Sequence, residues 1–167
     1  MVDVVVYFCL VLAAVGMFLL LRKQKISIPV SYVGALAWAF NTSNLFLGRS
    51  WMIAILVSAC IPFVLLGTSY LYENLSLKGV LLSALPKIFL FHSGHPQFFI
   101  WGIIFDFFYM LLFCIWGNKN DSRNKKFIIY YFLSLIPVAL MALPLLGPMY
   151  HSMSMSGGRN GSMPFDY

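Results

Sequence analysis

Gly79-Val80-Leu81-Leu82-Ser83-Ala84-Leu85-Pro86-Lys87-Ile88-Phe89-Leu90-Phe91-His92 is the stretch on which the topology of this chain turns. It is apolar, yet short and interrupted by Pro86-Lys87, and whether it crosses a bilayer sets the orientation of everything after it. Around it lie five runs that reach or approach the roughly 20 residues needed to traverse about 30 Å of hydrocarbon. These are Val4 to Leu21, Ile28 to Leu47, Trp51 to Tyr72, Phe98 to Trp116 and Phe127 to Tyr150.

Positive charge discriminates between the two topologies, because loops on the cytoplasmic side collect Lys and Arg. If 79–92 re-enters without crossing, Arg22, Lys23, Lys25, Lys78, Lys87 and Arg159 fall inside and Arg49, Lys119, Arg123, Lys125 and Lys126 outside, which is no bias. If it crosses, Arg22, Lys23, Lys25, Lys78, Lys119, Arg123, Lys125 and Lys126 share the inner side, with only Arg49 and Arg159 outside. The second arrangement follows the rule. The sequence therefore predicts an all-α, polytopic transmembrane helical bundle of six spans with both termini on the outer side; five spans plus a re-entrant segment is the alternative. Residues 1–150 form the transmembrane helical domain, and 151–167, rich in Ser, Gly and Met, read as a flexible C-terminal tail.

Composition agrees. The chain of 167 residues is 61% apolar and 10% charged, against about 25% charged in ordinary soluble domains, and its mean hydropathy is +0.87. A bilayer is the expected solvent. The net charge of +6 is explained by cations flanking apolar runs, so it points to topology and anionic lipid head groups rather than to nucleic acid. Arg22, Lys23, Lys25, Lys119, Arg123, Lys125 and Lys126 carry that role. The first run is preceded by Asp3 and followed by Arg22, Lys23 and Lys25. That is the reverse of a signal peptide, so an uncleaved first span is expected. Cys9, Cys60 and Cys114 lie in apolar segments without CxxC spacing, which gives no disulfide framework or zinc motif.

Two ionisable residues lie where a span should hold none. Taking the bend near residues 95 and 96, Lys87 is about 13 Å and Asp106 about 15 Å along the two arms of the hairpin at 1.5 Å per residue. They reach similar depth, and an intramembrane charge pair would relieve an insertion penalty of roughly 2.5–3.5 kcal/mol for each. A second cluster combines His92 and His95 at the hairpin turn with His151, Met153 and Met155 after the last span. Imidazole and thioether ligands suit copper, Cu(I) in particular.

Motifs for zinc proteases, P-loops, dinucleotide binding and serine hydrolases are missing from the sequence, so catalysis is a minority reading. The leading expectation is a small integral membrane protein that acts as a non-catalytic subunit or helper and binds another membrane protein through its spans. A small transporter or channel for an ion, metal or solute that uses Lys87 and Asp106 is the first alternative. A membrane-embedded enzyme acting on lipid or quinone is the second. A bacterial inner membrane is the expected location.

Overall fold

A computed structural model describes residues 2–42, 44–45, 52–93, 96–116 and 121–157. The described residues form six helices and no strand: α1 (Val2–Lys23), α2 (Ile28–Ala39), α3 (Met52–Glu73), α4 (Leu77–His92), α5 (Pro96–Trp116) and α6 (Asp121–Gly157). Four of them, α1, α3, α5 and α6, are long and apolar enough to cross a membrane. Large apolar side chains face outward along them, Tyr7, Phe8, Phe105, Phe108, Ile129 and Leu140 among them. In water such a surface would collapse; in hydrocarbon it costs nothing.

Short connections force neighbouring helices to run antiparallel. The turn from α1 to α2 closes with Ile26 N–H donating to Leu21 O at 3.2 Å and Lys25 N–H to Arg22 O at 3.0 Å. This pair of bonds places Lys25 in the left-handed region at φ 63°, the position that glycine usually fills at a helix C-terminus. The turn from α3 to α4 is capped by Ser76, whose Oγ accepts from Gly79 N–H at 3.3 Å. That cap starts α4 at Leu77, ahead of the Gly79 from which the apolar stretch was read.

Within the bundle α1 lies between α2 and α3, α3 packs on α1 and α4, and α4 is enclosed by α3, α5 and α6. The short, proline-broken stretch thus packs on three helices, with Gly79, Val80, Ser83, Ala84, Lys87 and Leu90 forming its buried side and Leu81, Leu85 and Phe89 its exposed one. Gly67 lets the α3 and α4 backbones approach closely: a Cβ there would lie 3.0 Å from both Leu82 O and Ser83 Cα. Small residues at a helix crossing are how membrane bundles gain van der Waals contact when no hydrophobic effect drives them together.

Prolines leave carbonyls without their usual donors, and the fold answers one of them visibly. Pro62 lies inside α3 and has no N–H to offer Ser58 O, the carbonyl four residues earlier. The Trp38 indole on α2 donates to that carbonyl instead, at 3.1 Å. A neighbouring helix thereby supplies the bond that the proline removes, as a backbone placed in hydrocarbon would require.

The second segment differs from its expected extent of Ile28 to Leu47, because the regular helix stops at Ala39. Asn41 Nδ2 donates to Trp38 O at 2.7 Å, and Asn44 Nδ2 to Trp38 O at 2.9 Å and Ala39 O at 3.2 Å. These amides take the terminal carbonyls that a continuing helix would have used. At the other end of the chain, α6 runs through Pro137, Pro144 and Pro148 to Gly157, so part of the segment read as a tail is helical.

Candidate functional site

The interior of the bundle holds one pair of opposite charges. Lys87 projects from the buried side of α4 and Asp106 from the narrow buried stripe of α5, Gly102, Asp106 and Met110, which repeats every four residues. A Cβ at Gly102 would sit 2.4 Å from Leu90 Cδ2 and 3.1 Å from Ile61 Cδ1. The glycine lets α5 close on α4 one turn away from the charges and sets their levels. Lys87 Nζ lies 3.0 Å from Asp106 Oδ2, and neither side chain has any solvent-accessible surface.

Hydroxyls from the surrounding helices complete the shell. Lys87 Nζ donates to Ser83 Oγ at 2.8 Å and to Ser134 Oγ at 3.1 Å, and it sits 4.5 Å from the centre of the Tyr131 ring. The Ser134 hydroxyl in turn donates a hydrogen bond to Tyr131 O at 2.7 Å. Thr68 donates to Asp106 Oδ1 at 2.6 Å. An ammonium has three protons; two go to the serine hydroxyls, and Asp106 Oδ2 stands 3.0 Å away as an ion-pair partner that completes no hydrogen bond of its own. Residues of α4, α5 and α6 thus surround the cation, and α3 joins through Thr68 on the carboxylate. The buried Tyr131 hydroxyl completes no hydrogen bond of its own.

A second set of polar contacts marks one end of the bundle. Lys23 on α1 pairs with Glu73 on α3 and lies 4.2 Å over the Tyr70 ring. Gln24 donates to the Tyr109 hydroxyl, which is also 3.0 Å from Ser69 Oγ. Arg123 Nη2 donates to Tyr72 O at 3.0 Å, and Asn124 Nδ2 to Cys114 O at 3.2 Å. The C-terminal ends of α1, α3 and α5 therefore meet the first turns of α4 and α6. This gathers Arg22, Lys23, Lys25, Lys78, Arg123, Lys125 and Lys126 at that end, while Lys119 lies outside the described residues.

The copper reading draws on residues of mixed standing. His92 is exposed, with Nδ1 2.9 Å from Ile88 O of its own helix, which leaves Nε2 as its outward nitrogen. His95 lies outside the described residues; His151, Met153 and Met155 belong to the α6 backbone, but their side chains are not described. Among the described residues, no three His, Cys, Asp or Glu side chains come together. Cys9, Cys60 and Cys114 are free thiols.

Sequence reasoning missed Thr68, Ser83, Ser134 and Tyr131. Ser83 had a usable signal, since it precedes Lys87 by four residues and must share its helix face. The others come from α3 and α6, and no local spacing connects them to the pair.

Fold and site together define an all-helical protein, four of its helices fit to span a membrane, organised about a buried lysine–aspartate pair. No protein-family model, curated protein or solved structure matches this chain.

Proposed function

We propose that this protein is a non-catalytic membrane subunit or helper that binds another membrane protein through its spans. The observation that carries the reading is the enclosure of Lys87: its ammonium is surrounded by Ser83, Ser134 and Asp106 at 2.8–3.1 Å, with no accessible surface. A cation so enclosed serves, with its carboxylate partner, to clamp α3, α4, α5 and α6 together, and it is not presented to a solute. What remains to act with is the outer surface. On α5 that surface is a broad apolar face, Trp101, Phe105, Phe108 and Ile115. The gathering of seven cations at one end supports the six-span arrangement, with that end inside and both termini outside. A bacterial inner membrane fits this reading.

A photo-crosslinking residue placed in turn at Trp101, Phe105 and Phe108 in native membranes tests the proposal. One discrete heavier protein product from that face is expected, retained after extraction into nanodiscs. Crosslinks to lipid alone, with a chain that isolates as a monomer in every extraction, would refute it.

A transporter or channel is the second reading, and one observation favours it. Thr68 and Ser69 are adjacent on α3, so the Gln24–Tyr109–Ser69 contacts begin beside the pair and end at the charged end of the bundle. Ion or solute flux in proteoliposomes that Asp106→Asn abolishes would establish it, and flux indifferent to that change would dismiss it.

A further inference from the structure

The charged end of the bundle contains a cleft between the end of α3, the turn after it and the first turns of α6. Its volume is about 430 Å³, and Glu73, Leu75, Ser122, Arg123, Lys126 and Tyr130 line it. Arg123 is fixed there, donating to Tyr72 O at 3.0 Å with its guanidinium 5.1 Å over the Tyr72 ring. Its buried Nε has no hydrogen-bond acceptor, so the cation stands at the cleft wall incompletely satisfied. Among the described residues, the one carboxylate in the wall, Glu73, is held by Lys23. With Glu73 neutralised by Lys23, the described lining is left with the two cations Arg123 and Lys126.

The remaining lining is equally specific. Ser122 and Tyr130 bring hydroxyls, and Leu75 brings apolar surface. Beyond the cleft the same side of α6 continues as Ile129, Ile136 and Leu140, all exposed, at spacings that keep them within about a quarter-turn of Lys126. A cationic pocket that opens onto an apolar helix face matches a molecule with a phosphate at one end and hydrocarbon at the other. Basic pockets between helices on the inner side of a membrane bind anionic head groups in this way.

We propose that this cleft binds a phosphate group carried by an anionic phospholipid, with Arg123 and Lys126 on the phosphate and the acyl chains along Ile129, Ile136 and Leu140. The site is distinct from the Lys87–Asp106 pair and does not depend on which protein the chain binds.

The test titrates the full chain, in a neutral detergent, with phosphatidic acid, phosphatidylglycerol and phosphatidylcholine, and reads lipid adducts by native mass spectrometry. Retention of the two anionic lipids over phosphatidylcholine is expected. Lys126→Gln should weaken it about fivefold, the value of one cation at a membrane surface, while Lys126→Arg keeps it. Lys25→Gln, which removes a charge from the same end outside the cleft, should leave it unchanged. Arg123→Gln should weaken it at least as much; if that variant fails to fold, Lys126→Gln still carries the test. Equal losses from Lys25→Gln and Lys126→Gln would overturn the site in favour of general surface charge. Adducts that survive excess inorganic phosphate support a lipid ligand, whereas displacement by inorganic phosphate would overturn the lipid as its source.

Discussion

Lys87→Met, Asp106→Leu and their combination form a thermodynamic cycle whose outcome follows from the shell around the pair. Lys87→Met leaves Asp106 at zero exposure with Thr68 as its remaining donor. Asp106→Leu leaves the ammonium with Ser83, Ser134 and the Tyr131 ring. Removing one member of a buried pair costs about 3–5 kcal/mol, because the other charge stays buried without compensation. Lys87→Met should be the more damaging at neutral pH, since it strips the larger set of contacts. The double variant replaces both charges with apolar groups of similar length, which is often close to neutral. Thr68, Ser83 and Ser134 then retain the option of bonding carbonyls of their own helices. A thermal melt in detergent followed with a thiol-reactive dye suits the protein, because Cys9 is buried and becomes reactive on unfolding. At about 2–4 °C per kcal/mol for a chain of this size, each single change should lower the midpoint by roughly 6–20 °C. The double variant should lie within a few degrees of the parent. Additive losses would refute the idea that the two residues stabilise the bundle as a unit.

Other consequences follow. Trp38→Phe removes the donor to Ser58 O and should cost about 1–2 kcal/mol; in a Pro62→Ala background, where residue 62 regains its N–H, most of that cost should vanish, and an undiminished loss would reject the rescue of the proline gap. Gly67→Leu should prevent α3 and α4 from meeting, since even a Cβ lies 3.0 Å from Ser83 Cα, and a melt unchanged from the parent would show that the contact is dispensable. Lys25→Gly relieves a left-handed lysine at φ 63° and should raise stability by about 1 kcal/mol, detectable as a small rise in the same melt. Compartment reporters fused to the two termini should respond on the same, outer face; signals on opposite faces would eliminate the six-span arrangement.

The sequence makes Lys87 and Asp106 readable as neighbours because both are counted from a single bend, and helical rise converts residue number directly into depth. The same arithmetic says nothing about Ser134 or Tyr131, which arrive on α6 across a loop of uncounted geometry. Nor could it identify Thr68, because a hydroxyl in an apolar helix ordinarily bonds its own backbone. The end of α2 was misread for a different reason. Hydropathy continues through Phe40 and resumes at Leu45; asparagine amides take Trp38 O and Ala39 O where α2 ends, and helical residues return at Thr42, Asn44 and Leu45, so the segment is interrupted where hydropathy shows no break. The charged end was legible as a list of cations, whereas the cleft among them needed the stacking of Arg123 on Tyr72, which no periodicity announces.

The enclosed charge pair also has a consequence for how the chain is made. Synthesis delivers Lys87 to the insertion machinery ahead of Asp106, so on the six-span reading the lysine arrives before its counter-ion exists. An isolated lysine at helix centre costs about 2.5–3.5 kcal/mol, against gains of only about 0.3–0.6 kcal/mol for each Leu, Ile or Phe. The Leu, Ile, Val and Phe residues of α4 together supply about 3–5 kcal/mol on that scale, so the lysine consumes most of what the helix gains by entering lipid alone. Leaving the translocation channel as one hairpin removes that penalty, so a ribosome stalled before Asp106 should insert α4 less completely than one stalled after it.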